Sequence, residues 1–449
     1  MKSIVLALVA LLAPVAGQAA QADRHVVVIS IDGFPAYLWH RPDLPVPNLR
    51  RLAAEGAAAQ SMVVTNPSST WSNHTTIITG RSPRVHGVLF NGLLRRPGGG
   101  QAPYVEQWAD KNEYVLAPAL YDIAHAHGLT TAESDWVAVH GAKTIQWSFP
   151  EVPNASGPVE QAMLAAGKLT EEELQLMAFR PGRKEVVCDP IWTRAAGFMF
   201  TQYRPNLLFY HTINTDHVNH TYGPGTSASY TAFAYADRLV GELLREIDAS
   251  GLRDQTTILV VTDHGFKKVS RFLYPNVALK KAGYLKVAGA RVVQNDAFVM
   301  PWGGTAVVYI NDPARRAELK PKLKELFAQT EGIARVIDGD DAHSLGLPRP
   351  DENANMGDLL LVAKDEALGF NDNAVGDEII GPATNYGGTH GFLASEPELE
   401  GIFIASGAGI KPGASLGRIR NLDVAPTIAR LLDLPFPEAE GRVLEEILR

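Results

Sequence analysis

The chain has 449 residues, of which 46% are apolar and 20% charged, and its formal net charge is −8. This is ordinary globular composition, with length for two or three domains or for one large α/β domain carrying an insertion. No basic stripe is present, so general binding to nucleic acid backbone is not expected. The single cysteine, Cys188, excludes an intrachain disulfide and any thiolate metal site, which leaves His and carboxylate as the available metal donors.

Residues 1–22 read as a signal peptide. Lys2 supplies the positive start, Ile4 to Val15 the apolar run, and Gly17, Ala19, Ala20 and Ala22 the small residues around a cleavage site. The run is too short to span a bilayer. The expected mature protein begins between Ala20 and Asp23 and is periplasmic or secreted, with no later membrane span.

The first mature segment, His25–Ile31, is a continuous β-branched run that ends at Asp32-Gly33. Apolar character on both faces predicts a central parallel strand. Similar runs follow at Leu207–Tyr210, Thr257–Thr262, Ala306–Ile310, Asp358–Ala363 and Gly401–Ala405. Between them, Asn48–Ala59, Leu120–His127 and Ser229–Ile247 have helical spacing of apolar residues. Alternation of this kind predicts an α/β fold, a three-layer αβα sandwich around a mainly parallel sheet. Residues 267–385, with Trp302-Gly303-Gly304 and a charged helix at Pro313–Thr330, differ in character and are expected to form an insertion or cap subdomain.

Three turns loaded with chemistry follow expected strands: Asp32, Asp216 and Asp263-His264. Open α/β sheets bind ligands at the carboxyl ends of their strands, so all three are expected on one rim. Asp216 and His220 are spaced i, i+4, which on a helix puts both on one face. Gly387–Gly391 presents His390 among glycines, a loop whose ordering is costly unless something fixes it. In Asn66–Gly80, the Ser/Thr cluster reads as a helix start with Thr70 at the N-cap and Gly80 at the far end. A hydroxyl there faces the positive end of the helix dipole. Thr70 is a nucleophile candidate on these grounds, and so are Ser68, Ser69 and Ser72. Each motif also has a plain reading as a cap, turn or loop residue. Together they supply three Asp, three His and a hydroxyl, a sulfur-free donor set suited to catalytic zinc.

The order of these motifs resembles the alkaline phosphatase superfamily, and within it the nucleotide pyrophosphatase/phosphodiesterase family. The matching elements are Asp32 after a strand, Pro67–His74 (P-x-x-T-x-x-N-H), Asp216 with His220, Asp263–Gly265, Gly388–Gly391 and the closing Asp423–Thr427. The resemblance implies two Zn2+ ions, one held by Asp32, Thr70, Asp263 and His264, the other by Asp216, His220 and His390. It implies that Thr70 is the nucleophile and passes through a phospho-threonine intermediate. In His86–Asn91 it implies that Asn91 donates a hydrogen bond to a non-bridging phosphate oxygen. Trp71 stands where diesterase relatives often have Phe, so substrate stacking and packing are both open roles. Asn219 replaces the glycine usual before the metal-binding histidine. Trp136–Ile145 lacks the Lys-x-Arg pair of some monoesterase relatives, leaving His140 and Lys143 as possible substrate contacts. That difference favours phosphodiester or phosphoanhydride substrates over monoesters. A phosphomonoesterase or phosphonate hydrolase with the same core, or a metal- or phosphate-binding protein without turnover, are the alternatives.

Overall fold

The computed structural model describes residues 23–98, 100–178, 184–364 and 367–449. The expected signal peptide at 1–22 lies outside these residues. Eight strands form the main sheet: β1 (His25–Ile31), β2 (Ala57–Val63), β3 (Thr131–Ser134), β4 (Trp147–Phe149), β5 (Leu207–Thr212), β6 (Thr256–Val261), β7 (Phe403–Gly407) and β8 (Ala414–Arg420). Their order is β8-β2-β7-β6-β1-β5-β3-β4. Only β7 runs antiparallel to its neighbours, pairing with β2 and β6; the pairs β1–β5, β1–β6, β3–β4, β3–β5 and β2–β8 are parallel.

The apolar run of β1 is explained by cover on both faces. Val27, Ile29 and Ile31 enter one core with Leu49, Trp192, Phe233 and Leu243. Val26 and Val28 enter the opposite core with Ile77, Leu120, Val424 and Ile428. Side chains alternate across a strand, so two helical layers bury both sets. Each fully buried Val or Ile contributes on the order of 1.5–3 kcal/mol.

Four details depart from the sequence reading. Asn48–Ala59 is not one helix: the helix spans Pro47–Glu55, and Ala57 begins β2 after a Gly56 whose added Cβ would lie 2.1 Å from Ala405 O. The run at Gly401–Ala405 supplies the antiparallel strand rather than a parallel one. The runs at Ala306–Ile310 and Asp358–Ala363 are not in the main sheet at all. They belong to a second, four-stranded sheet of Ala297–Pro301, Thr305–Ile310, Leu359–Ala363 and Ile333–Asp338, antiparallel throughout. Burial on both faces makes an apolar run in either kind of sheet, so the run alone does not reveal strand direction. This sheet has its own core, including Val307, Tyr309, Phe327 and Leu360, to which Leu89 and Phe90 from the early part of the chain are added.

Candidate metal and catalytic site

The carboxyl ends of β1, β5 and β6 meet at one rim. Asp32 follows β1 and Asp263-His264 follow β6. Asp216 and His220 sit on a short helix, α2 (Asn214–Tyr222), that begins two residues past β5. Gly33 makes the turn after Asp32 at φ +64°, and an added Cβ would lie 2.7 Å from the Phe266 ring. Its N–H donates to Asp263 Oδ1 at 3.1 Å, tying the two carboxylate turns together.

Two groups of donors result. Asp32, Asp263 and His264 form one, and Asp216, His264 and His390 the other, each with ligand atoms within 4.8 Å of one another. His264 belongs to both. His220 stands beside the second, its Nε2 3.4 Å from Asp216 Oδ2 and its ring centroid 5.1 Å from that of His390.

The three histidines are oriented alike. His220 Nδ1 lies 3.0 Å from Gly388 O, His264 Nδ1 3.1 Å from Gly265 O and His390 Nδ1 2.9 Å from Ser68 O. A carbonyl only accepts, so each Nδ1 carries a proton and each Nε2 is the ring nitrogen left to face the carboxylates. That arrangement is common behind metal-bound imidazoles.

The carboxylates make the complementary point. Asp32 Oδ1, Asp216 Oδ1 and Asp263 Oδ2 are buried without a hydrogen-bond partner. Their near neighbours are imidazole nitrogens, His264 Nε2 at 3.5 Å from Asp32 and 3.1 Å from Asp263, and His390 Nε2 at 3.8 Å from Asp216, and buried carboxylate oxygens left without hydrogen bonds are costly. Burial, followed by the neighbouring Asp263 and Asp216, pushes Asp32 well above the ordinary carboxylate range. Burial also raises Asp216, against the opposing pull of His220 and His264. Burial opposes ionisation of Asp263 too, but His264, His74 and His211 outweigh it and hold that group low. His390 is held neutral by burial and by His264 and His220. Orphaned carboxylate oxygens facing bare imidazole nitrogens fit one or more divalent cations.

Thr70 opens helix α1 (Thr70–Thr79) as its first residue. The N-cap is Ser69, one position earlier than the sequence reading placed it. The Thr70 hydroxyl is 3.4 Å from His264 Nε2. Two of its serine rivals face elsewhere, Ser68 Oγ donating to Phe392 O and Ser72 Oγ to Val88 O, both at 2.7 Å, while Ser69 Oγ is buried without a hydrogen-bond partner. Buried Asn73 braces the approach to α1, donating to Pro67 O and Ser69 O and accepting from Thr65 N and Asn421 Nδ2. Asn91 Oδ1 accepts from Trp71 N–H at 3.1 Å, which leaves its amide donors available beside the start of α1.

The remaining candidates are less direct. Trp71 is buried in a small cluster with Val88, Tyr114 and Val137, and its ring stacks at 6.3 Å from Tyr114; it also lines a cavity with Trp108, Trp136 and His140. Lys143 is exposed and lies outside that lining. Asn219 is helical and buried, with no turn at its position. Its Nδ2 donates to Gly33 O and its Oδ1 accepts from Ser229 Oγ, so its side chain bridges the turn after β1 to Ser229.

Three supporting groups were not assigned from sequence. His211 Nε2 is 3.0 Å from Asp32 Oδ2, with its other nitrogen 3.0 Å from Asp135 O. His74 Nδ1 is 2.8 Å from Thr70 O and 3.7 Å from Asp263 Oδ2. Asp189, on a distant stretch of chain, accepts from Ile213 N at 3.0 Å and Asn214 N at 3.2 Å and so caps the helix that carries Asp216. The i, i+4 spacing of Thr70 and His74 was a usable signal; Asp189 had none, since it binds backbone.

A mainly parallel sheet with acidic and imidazole donors at its rim and a hydroxyl facing them defines the class of site. Residues 26–393 match the family described as Type I phosphodiesterase / nucleotide pyrophosphatase, and the chain belongs to that family. It is 23% identical over 427 residues to venom phosphodiesterase 2 of Crotalus adamanteus, covering 92% of this chain and 46% of that protein. It is 21% identical over 461 residues to human ectonucleotide pyrophosphatase/phosphodiesterase family member 7, covering 99% and 88%. The chain thus spans about half the length of the venom enzyme. The fold is shared with human ectonucleotide pyrophosphatase / phosphodiesterase 5, at a TM-score of 0.71 and 17% identity over 95% of this chain and 100% of that one. An inactive threonine-to-alanine form of the murine protein, solved with AMP, gives 0.70 and 16% over the same shares. Among the described residues no helix is long and apolar enough to cross a membrane.

Proposed function

We propose that this chain is a secreted two-zinc phosphodiesterase or nucleotide pyrophosphatase acting through a phospho-threonine intermediate on Thr70. The observation that carries the reading is the Thr70 hydroxyl, at the head of α1 and 3.4 Å from His264 Nε2, beside three buried carboxylate oxygens that make no hydrogen bond. Asp32, Asp263, His264 and Thr70 would hold one ion, and Asp216, His220 and His390 the other. Bound ions would supply the positive charge that offsets an attacking alkoxide, a leaving oxygen and the phosphate between them.

The residues of the chain divide the remaining work. Thr70 Oγ attacks phosphorus as the P–O bond to the leaving group breaks; the Thr70 proton passes to water, and the departing oxygen takes up a proton from water. The helix dipole of α1 stabilises the oxyanion character of that oxygen. Asn91, held through its carbonyl by Trp71 N–H, turns its amide toward a non-bridging phosphate oxygen and stabilises charge as it develops. Water then attacks the phospho-threonine and restores the hydroxyl. His211, His74 and Asp189 fix Asp32, Thr70 and α2 in place. The 267–385 segment acts as a cap whose inner edge shapes the substrate cleft. The threonine-to-alanine change that accompanies inactivity in the murine neighbour is of the same kind as Thr70→Ala here.

Rates on bis-p-nitrophenyl phosphate and p-nitrophenyl phosphate, measured on zinc-loaded protein, test the reading. Faster turnover of the diester is expected, with roughly two zinc ions per chain by elemental analysis. A strong monoester preference would overturn the diesterase assignment, and metal binding without turnover of either ester would leave a binding protein instead.

A further inference from the structure

One charged group in the cleft has no part in the chemistry above. A cavity of ≈ 440 Å³ runs from Ser69, Asn91 and His390 to Met300, Trp302 and Asp372. Among the described residues lining it, Asp372 is the carboxylate, and no lysine or arginine contributes. Asp372 is exposed, and no ion pair to its carboxylate occurs among the described residues.

The position of Asp372 is built. Buried Asn276 donates its Nδ2 to Asp372 O at 2.8 Å and to Val299 O at 3.0 Å. Asn371 N donates to Leu273 O at 2.9 Å and Phe370 N to Gly303 O at 2.7 Å, while Gly304 N donates to His390 O at 2.9 Å. The loop carrying Asp372 is therefore tied through Gly303-Gly304 to the same loop that presents His390. On the other side of α1, the cavity beside Trp71 is lined by Glu133 and Glu151, again with carboxylates as its acid–base charges besides His140.

We propose that Asp372 sets the charge class of the substrate: phosphodiesters whose substituent in this cleft is cationic or neutral, in preference to those that carry a further anionic group there. The inference rests on the phosphodiesterase reading of the site. An unpaired carboxylate attracts an ammonium or hydroxyl donor and repels a second anion, and selection of this kind acts through charge complementarity. Rim charges of this sort are screened by salt, so the preference weakens as ionic strength rises.

Three matched p-nitrophenyl phosphodiesters test this, with 2-aminoethyl, propyl or 2-carboxyethyl as the second ester group. For the zinc-loaded wild type, kcat/KM for the aminoethyl ester should exceed that for the carboxyethyl ester by about tenfold at low salt. Asp372→Asn should bring that ratio close to one, and Asp372→Lys should invert it. A wild-type preference for the carboxyethyl ester, or a ratio unchanged in Asp372→Asn, overturns the proposal while leaving the diesterase reading intact. Failure of the wild type to turn over any of the three sinks the diesterase reading and this inference with it.

Discussion

The two walls of the cleft are held together by different means. On the sheet rim, side chains do the binding: carboxylates and imidazoles converge, and each imidazole is steered by one backbone carbonyl. On the wall formed by the second sheet, backbone meets backbone. Gly304 N donates to His390 O, and a Cβ added to Gly303 would lie 2.1 Å from that same oxygen. Gly391 is as crowded from the other side, with an added Cβ 1.9 Å from Trp302 O. The rim is thus vulnerable to loss of a functional group, and the opposing wall to gain of a single carbon.

Thr70→Ala should produce the largest effect and the cleanest break on the rim side. Activity is expected to fall by at least ~10⁴-fold, as in other enzymes that lose their nucleophile, with the fold retained. Stopped turnover with an unchanged circular dichroism spectrum checks this; activity equal to wild type would remove Thr70 from the mechanism and return attention to Ser69. Asn91→Ala stands between the two walls, because its neighbours Leu89 and Phe90 belong to the core of the second sheet. Loss of one oxyanion donor costs about 10²–10³-fold in kcat. A change confined to KM would instead make Asn91 a simple binding contact.

Gly303→Ala carries the comparison to the opposite wall. No functional group is removed, yet the new methyl displaces the His390 loop. A loss of about 10–100-fold in metal affinity is expected, as for other disturbances behind a metal ligand. Zinc titration against a competing chelator measures it. Wild-type affinity in this variant would mean that the wall yields, and that the His390 loop is positioned from the rim alone.

The same contrast decides what could be read from the sequence. Rim residues announce themselves because a buried strand followed by Asp is a visible pattern: Asp32 follows β1 directly, and Asp263 follows β6 with only Thr262 between. Choosing Thr70 over its serine neighbours needed more, since composition cannot say which hydroxyl turns outward. The structure turns Ser68 and Ser72 to backbone carbonyls and Thr70 toward His264. Trp302-Gly303-Gly304 and Gly387–Gly391 were both noticed as glycine-rich, but nothing local tells one such segment that it will clasp another about ninety residues away. Asp372 was illegible for a related reason: its place depends on Asn276 and on the Phe370–Gly303 contact. Strand direction was hidden too, because the second sheet buries its strands as fully as the first.

The smallest expected effect separates rim stability from rim chemistry. Glu133, fully enclosed on β3, accepts from Trp136 N at 2.9 Å and from Ser148. Burial outweighs these hydrogen bonds and pushes its carboxyl up from 4.5 to about 7. A carboxyl raised in the folded state is stabilising while protonated: its contribution is complete below the unfolded value near 4.5 and is lost as pH rises through about 7. That span corresponds to about 3 kcal/mol at most. Glu133→Gln removes the titration but keeps a side-chain oxygen for Trp136. In chelator-treated protein, the urea midpoint of the wild type should therefore fall between pH 5 and 8 more steeply than that of the variant. Asp189, raised by burial to about 7 as well, persists in both proteins and leaves a residual slope. Parallel midpoints across that range would show that Glu133 ionises without cost, and that the rim near β3 is wetter than its packing implies.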